Sequence, residues 1–316
     1  MATSSKKQPS PDRELLRLRN DHTWENGRRY HGYKDEFPFP DDTVTTAGLV
    51  WPGLADDKPF VAPLPLPLKK NTKVLDVAAR GGDWLYSLLD SDDGLYAKAR
   101  VTGLEPAYMV NDGSPAWLLH RHLEGPWPFT PKEAFHLIHG EALGGLLADW
   151  EGFFANVYAH LLPGGWVEIR EHDLRFYPRQ GKEKEMEGKW DALKKWSDLM
   201  DEAAERFGKK INMGGMQKEF MEKVGLVEVQ ERVFKVPTRV WKDDPLSANG
   251  RWNNAHLKDQ LEGYSLRLFT KTLGWSKEDT DDLLKRVRHE LDQEDLELYS
   301  LFYLVIGRKP TGAPRK

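Results

Sequence analysis

The amino-acid sequence predicts an α/β fold in which helices cover both faces of a mainly parallel sheet. Short apolar runs typical of strands alternate along the chain with longer amphipathic runs typical of helices. The run "KVLDV" at residues 73–77 leads into a glycine-containing turn and then into a helix-like segment. The final apolar run, "LYSLFYLVIGRKP", follows a long helical block, so we expect it to form an antiparallel edge beside the strand before that block.

Changes in composition divide the chain into four segments. Residues 1–12 are polar and contain proline, which predicts a disordered tail. Residues 13–60 are predicted to form an N-terminal lid, with helical turns in "RELLRLR" and a loop or clamp in the aromatic stretch that follows. Residues 61–175 are predicted to form the α/β core that carries the candidate ligand sites. Residues 176–316 complete the same domain, with a helical substrate cap at about residues 246–297.

Local patterns predict the elements within these segments. Alternate prolines in "PFVAPLPLPL" exclude a central strand, because proline cannot donate to the sheet ladder, and they favour an extended entry to the core. Strands are predicted at residues 74–77, 100–104 and 135–139, and a helix begins at Asp83. The later elements are, in order, a helix in "WEGFFANVYAHLL", a strand in "WVEIRE", charged helices in "EKEMEGKWDALKKWSDLMDEAAERFG", a strand in "GLVEVQERVFKVP", the helical block and the final strand.

Composition and charge exclude several classes of function. The net charge is −4 with both signs scattered, so neither a nucleic-acid surface nor a membrane-binding polybasic block is predicted. The absence of cysteine excludes disulfides, thiolate zinc sites and cysteine nucleophiles. No apolar run is long enough to span a bilayer, and we expect a soluble protein of the cytoplasm or nucleus. Twelve tryptophans favour a small hydrophobic or aromatic substrate, although core packing explains most of them.

The first candidate site is the turn in "VLDVAARGGDW". Asp76 and Gly82 fit a loop in which ligand atoms lie against the backbone at the start of a helix. Ala78 and Arg80 disagree with it, because a side chain fills space that a ligand needs. Glu105 closes the next strand, where an acidic residue commonly binds ribose hydroxyls. The alternatives are a plain strand-to-helix connection and, for Glu105, a solvated turn residue.

The second candidate site follows "LLPGGW", which is itself typical of a helix end and a tight turn. The stretch "EIREHD" then places polar side chains at the carboxyl end of a predicted strand, where α/β folds bind their ligands. His172 is a candidate general base whose imidazole is tuned by Glu171 or Asp173. A metal site at His172 is the less favoured alternative, because no other matched ligands are evident.

Five blocks carry a resemblance to a known family from residue 23 to residue 310. They are "ENGRRYHGYK", "VLDVAARGGDW", "LLPGGWVEIREHD", "VGLVEVQERVFKVP" and "GYSLRLFTKTLGWSKED". In this order they resemble the fungal LaeA-like, or TAM-domain, S-adenosylmethionine-dependent methyltransferases. The resemblance implies a class I methyltransferase fold, which is a Rossmann-like, seven-stranded, mostly parallel sheet with an antiparallel last strand. It also implies a role in fungal secondary metabolism, either as a tailoring enzyme or as a regulator.

The resemblance also implies site residues. Its cofactor is S-adenosylmethionine, bound over the carboxyl ends of the first strands, and Tyr30 and His31 would close over the reacting end. The cofactor-binding positions carried over are Asp76, Ala78, Arg80 and Gly82 for the methionine part, Glu105 for the ribose, and Trp84 just inside the helix.

Departures from the family pattern leave three functions open. Ala78 and Arg80 replace the first two glycines of the family loop, and Glu141 stands where an arginine is common. We expect Arg80 to weaken binding of S-adenosylmethionine, because it adds bulk and a positive charge near a sulfonium. The first function is methyl transfer to a small organic substrate. The second is a cyclase, isomerase or pericyclase reaction after methylation has been lost, and the third is non-catalytic regulation or binding.

Two further expectations concern the substrate side. The helical block and the aromatic residues 24–33 are predicted to wall the substrate cavity. Tyr30, His31 and His172 are the candidate catalytic residues, with either histidine handling a proton. By contrast, we expect four other histidines to lie at the surface, namely His120, His122, His256 and His289.

Overall fold

The computed structural model describes residues 22–31, 37–42, 54, 58–79, 82–91, 94–105, 118–120, 123–242 and 244–312. The predicted tail, the helical turns in "RELLRLR" and Arg80 lie outside the described residues. The strands are β1 (His22–Glu25), β2 (Arg28–His31), β3 (Lys73–Val77), β4 (Arg100–Glu105), β5 (Leu118–His120), β6 (Phe135–Glu141), β7 (Leu161–Pro178), β8 (Val227–Pro237) and β9 (Leu298–Arg308). The α-helices are α1 (Asp83–Leu89), α2 (Trp150–His160), α3 (Glu183–Met186), α4 (Asp191–Phe207), α5 (Gln217–Lys223), α6 (Ser247–Arg267) and α7 (Lys277–Asp292).

Seven strands form one sheet in the order β5-β4-β3-β6-β7-β9-β8. Strands β3 to β7 are parallel, and β9 is antiparallel to both of its neighbours, β7 and β8. The predicted fold class is therefore confirmed, including the antiparallel last strand. Strand β9 returns as the antiparallel neighbour of β8, as expected, and the two strands end the sheet with β9 inside and β8 at the edge. The last strand is buried along most of its length, which explains its apolar sequence.

The N-terminal segment contains a hairpin that the sequence interpretation took for a loop or clamp. Strands β1 and β2 pair through the turn Asn26-Gly27, where both residues have positive φ, at 53° and 81°. Asn-Gly is the strongest short hairpin signal, because both residues tolerate this conformation. The missed element was therefore readable from two letters of the sequence.

Large apolar clusters cover both faces of the sheet and position the cap. One cluster joins β3, β6 and β7 to α2, with Phe153 and Phe154 fully buried. Another joins the carboxyl end of β7 to α4, α6 and α7 around the fully buried Trp196. Glu290 of α7 accepts hydrogen bonds from the first backbone N–H groups of α4. The helical cap is thus packed and capped as one unit against the sheet.

Candidate active site

The turn after β3 has the backbone shape of a glycine loop. Ala78 has a φ of 60° and Gly82 has a φ of 99°, so both lie in the left-handed region. The N–H of Ala79 donates to Leu104 O at 3.1 Å, and the N–H of Gly82 donates to Ala79 O at 2.7 Å. A left-handed alanine costs about 1–2 kcal/mol relative to glycine. Ala78 therefore adopts, at some cost, the conformation that a glycine would adopt freely.

Asp76 and Trp84 are held by a residue that the sequence interpretation did not single out. His139 Nδ1 lies 2.8 Å from the Asp76 carboxylate, and the His139 ring stacks on the Trp84 indole at 3.8 Å and 3°. Trp84 Nε1 donates to Pro59 O at 2.8 Å. Burial, helped by the charge of Arg170, holds the pKa of His139 well below 6.5. A neutral imidazole thus links β3, β6 and α1 beneath the turn.

A buried ion pair continues this connection across the sheet. Arg170 donates to Glu168 from Nε at 2.9 Å and from Nη2 at 2.7 Å. The second oxygen of Glu168 accepts the N–H groups of Val61 and Ala62, and Arg170 also donates to Pro59 O at 2.7 Å. The proline-rich entry segment is therefore fixed by hydrogen bonds to the sheet, and it forms no strand, as its prolines predicted.

Glu105 lies at the carboxyl end of β4 and its side chain is fully buried. The exposed turn position considered for it is therefore wrong. Close packing leads up to this residue: a Cβ on Gly103 would lie 2.7 Å from Leu118 Cδ1 and 3.0 Å from Ala79 Cβ. Ala79 belongs to the turn after β3. Leu118 belongs to β5, a strand that the sequence interpretation missed. Glu105 is consequently held close to the loop turn.

Glu171 and Asp173, on either side of His172 in the sequence, accept hydrogen bonds on the face of β7 opposite to that of His172. The N–H of Leu143, in the loop after β6, donates to Glu171 at 2.6 Å. The hydroxyl of Tyr303 donates to Asp173 at 3.2 Å. Burial raises the pKa of Asp173 to about 6, although the bond from Tyr303 opposes the shift. Because side chains alternate along a strand, Glu171 and Asp173 lie opposite the face that carries His172.

His172 belongs to an aromatic cluster between the sheet and the cap. Its ring centroid lies 5.5 Å from that of Phe302 in β9 and 6.3 Å from that of His256 in α6. His256 stacks on Trp252 at 4.9 Å and 15°, and its Nε2 lies 3.2 Å from the hydroxyl of Tyr264. We call these five residues the aromatic cluster. The expected surface position of His256 is wrong, since it is half-buried here, whereas His289 is exposed as expected.

The hairpin residues Tyr30 and His31 are both fully buried. The guanidinium of Arg267 lies 4.0 Å from the centroid of the Tyr30 ring, and the His31 ring contacts Phe37 edge-on at 6.0 Å. Burial is the main cause that raises the pKa of Tyr30 above its usual value, so its hydroxyl stays protonated. Trp24, which was predicted to face the cavity, is instead 72% exposed.

Arg267 joins this hairpin to the cap, and the sequence interpretation missed it. It is fully buried at the end of α6 and donates to both oxygens of Glu25, at 2.8 and 3.0 Å. It also donates to Thr23 Oγ1 at 3.1 Å and to Phe37 O at 2.9 Å. The available signal was Arg267 itself, a charged residue within the largely apolar stretch "GYSLRLF", because buried arginines require partners.

Phe39 connects the same segment to the loop after β6. A Cβ on Gly145, which has a φ of 79°, would lie 2.6 Å from the Phe39 ring. The other side of the Phe39 ring contacts Tyr264 edge-on at 5.5 Å. The N-terminal segment thus reaches both the carboxyl end of β6 and helix α6. Among the residues that the structure describes, no helix is long and apolar enough to cross a membrane, and no three metal-ligating side chains gather at one point.

A family model described as a methyltransferase domain matches residues 54–225, which is more than half of the chain. The chain belongs to this methyltransferase family. The matched range begins near the proline-rich entry segment and ends after α5. It therefore contains the loop turn, Glu105 and the candidate base His172, while the hairpin and the cap lie outside it.

Curated relatives match almost the whole of the methyltransferase chain. It is 25% identical over 303 residues to methyltransferase pytC of Aspergillus terreus, covering 91% of this chain and 88% of the relative. It is 26% identical over 311 residues to the secondary metabolism regulator LAE1 of Cochliobolus heterostrophus, covering 92% and 96%. It is 24% identical over 304 residues to the protein-methionine methyltransferase laeA of Emericella nidulans, covering 92% and 78%. The predicted resemblance to LaeA-like methyltransferases is confirmed.

Proposed function

We propose that this chain is a tailoring enzyme of secondary metabolism that transfers a methyl group from S-adenosylmethionine to a small organic acceptor. The names of the relatives support the metabolic setting, since they include both methyltransferases and regulators of secondary metabolism. The observation that carries the proposal is the loop turn, which keeps left-handed backbone at positions 78 and 82 although alanine stands at one of them. Strained backbone of this kind persists chiefly at functional sites, so its presence here favours a retained ligand site.

The described residues around the turn fit the cofactor. Glu105 provides a buried carboxylate at the end of the strand beside β3, suited to accept hydrogen bonds from two ribose hydroxyls. Ala78 and Gly82 set the backbone path along which the methionine part would lie. Asp76 faces His139, so we assign it to holding the turn rather than to touching the ligand. Arg80 adds bulk and a positive charge in the same loop, so we expect it to weaken the binding of the cofactor.

The acceptor would bind where the carboxyl ends of β6 and β7 meet the cap. S-adenosylmethionine supplies an electrophilic methyl group when it is bound. His172 would hold the proton that an acceptor hydroxyl or amine releases. Tyr30 and His31, on the docked hairpin, would exclude water from the reacting end. Close approach of the two reacting atoms provides most of the rate enhancement in such a transfer.

Titration calorimetry tests the cofactor half of this proposal. We expect the natural protein to bind S-adenosylmethionine and S-adenosylhomocysteine, with Glu105→Ala weakening both roughly 10- to 100-fold through the lost ribose contacts. The matched control is Glu151→Ala, an exposed position on α2. The double variant Ala78→Gly/Arg80→Gly should bind more tightly, because it removes strain and bulk.

Three outcomes decide between the functions. Binding that Glu105→Ala abolishes, together with methyl transfer to an acceptor, supports methylation. Binding that appears only in the Ala78→Gly/Arg80→Gly variant contradicts it and favours a fold that has lost methylation and performs a cyclase- or isomerase-type reaction. Binding that is indifferent to Glu105 rejects the assigned ribose contact.

A further inference from the structure

The aromatic cluster lies at the carboxyl end of β7, where the acceptor would bind. Its side chains come from three elements: His172 from β7, Phe302 from β9, and the remaining three from α6. His172 and Phe302 are register partners in neighbouring strands, so their side chains lie on one face of the sheet. Helix α6 covers that face with Trp252, His256 and Tyr264, which recur at intervals of four and eight residues.

All five side chains of this cluster are planar, and none of them is Asp, Glu, Lys or Arg. The stacked pair of Trp252 and His256 presents flat rings, and the ring of Phe302 packs against His172 from the sheet side. The nearest strand carboxylates, Glu171 and Asp173, bond to groups on the opposite face. Flat walls favour flat ligands, because aromatic rings attract one another in offset-stacked or edge-to-face arrangements.

Two imidazoles give this wall a polar component. The ring centroids of His172 and His256 lie 6.3 Å apart, and the hydroxyl of Tyr264 orients His256 through its Nε2 at 3.2 Å. Phe39 contacts Tyr264 edge-on, so the segment that follows the hairpin also packs against the cluster. An imidazole pair at this spacing is suited to hydrogen-bond a single hydroxyl group and to receive its proton.

We propose that the aromatic cluster is the acceptor site, that its substrate class is the planar phenols, and that His256 is a second proton-handling residue beside His172. This inference rests on the proposed methyl transfer only for its chemical step. In that step the phenol oxygen forms a bond to the methyl carbon of a sulfonium donor and the methyl–sulfur bond breaks. The hydroxyl proton passes to an imidazole of the cluster.

Binding measurements without any cofactor test the substrate class separately from the reaction. The probes are 2-naphthol, its saturated counterpart decahydro-2-naphthol, and 2-methoxynaphthalene, which is planar but has no hydroxyl. We expect the natural protein to bind 2-naphthol roughly tenfold more tightly than the saturated alcohol and severalfold more tightly than the ether. Equal binding of the three probes would overturn the proposal.

Matched variants separate the wall from the hydrogen bond. Trp252→Ala should remove the preference for planar over saturated ligands, and Trp252→Phe should retain most of it. His256→Leu should remove the preference for 2-naphthol over its ether while leaving the planar preference intact, and His256→Gln should keep part of it. The control is Trp275→Ala, at another half-buried tryptophan of the cap, which stacks near Phe269 and Lys195 instead.

Each outcome decides the proposal independently of methylation. If 2-naphthol binds with these preferences but is never methylated, the site stands and the proposed function fails. If an acceptor is methylated while the Trp252 and His256 variants behave as the natural protein does, the function stands and this site is wrong. A purely structural cluster would lower the melting temperature in all variants without changing either preference.

Discussion

Buried charged side chains have different partners in the two halves of strand β7. In the first half, Glu168 and Arg170 bond to each other and to the entry segment, and every described contact stabilises the scaffold. In the second half, Asp173 is as well buried, yet its Oδ1 has no hydrogen-bond partner among the described residues, and burial raises its pKa to about 6. The same strand therefore pairs its charges with each other where it supports the fold, whereas at its carboxyl end Asp173 accepts the hydroxyl of Tyr303 through one oxygen while the other oxygen has no partner among the described residues.

This difference agrees with the position of the site. Natural sequences violate local rules chiefly at functional positions, because function needs groups that stability alone would remove. Glu171, His172 and Asp173 directly follow the paired residues in the chain, at the end where α/β sheets bind ligands. The strained Ala78 lies at the corresponding end of β3. Both departures from stability thus lie at the same edge of the sheet.

Disrupting the ion pair between Glu168 and Arg170 should give the largest change in the free energy of unfolding. Glu168→Ala leaves Arg170 buried without its carboxylate and leaves two backbone N–H groups without an acceptor, so we expect the free energy of unfolding to fall by about 3–5 kcal/mol. Urea denaturation measures this loss. Because Glu168→Met/Arg170→Met replaces both charges by apolar groups, the double variant should lose less than Glu168→Ala alone. A loss below about 1 kcal/mol for Glu168→Ala would contradict the scaffold role.

Removing the carboxylate of Asp173 should instead stabilise the protein, by an amount that depends on pH. A carboxyl whose pKa is raised in the folded state stabilises it below the unfolded pKa of about 4, and this stabilisation is lost as pH rises through about 6. Asp173→Asn should therefore be more stable than the natural protein at pH 7 by on the order of 2 kcal/mol, and equal to it near pH 4.

Denaturation at pH 4, 5.5 and 7 measures this difference. Asp198→Asn, on the exposed face of α4, serves as the control for a removed carboxylate. The neighbours Tyr303, Arg175 and Asp201 stay unchanged in both variants. The same pH dependence in Asp173→Asn and in the natural protein would contradict the assignment.

Replacing Arg267 should give the smallest and most local effect, because its partner Glu25 belongs to an element at the surface. Glu25 is partly exposed, so it regains water when Arg267→Met removes the guanidinium, and we expect a loss of about 1–2 kcal/mol. The loss should appear as undocking of the hairpin rather than global unfolding. Limited proteolysis near residues 22–31 should accelerate in Arg267→Met.

The control for this prediction is Lys271→Met, because Lys271 contacts the same Glu25 from an exposed position at 3.3 Å. Lys271→Met should cleave at the natural rate. Equal cleavage of Arg267→Met and the natural protein would mean that the hairpin is held by its apolar contacts alone.

The sequence alone determined the fold class and the order of its elements. Periodicity and glycine-proline punctuation act locally, so β3, α1, β4, β6, α2 and β8 were readable, as were the late helical block and the antiparallel β9. The loop after β3, with its alanine and arginine, was identified for the same reason. Among the local elements, the hairpin turn at Asn26-Gly27 was overlooked and strand β5 was missed.

Tertiary structure alone decided which side chains meet. His139 reaches Asp76 across 63 residues, and Arg267 reaches Glu25 across 242, distances over which a local pattern carries no information. His256 was expected at the surface because the polar residues of α6 surround it in sequence. The packing of α6 on the sheet instead places its ring beside that of His172. The place of β9 between β7 and β8 follows from long-range strand pairing. Contacts of this kind exist only once the sheet has assembled, because no local segment contains both partners.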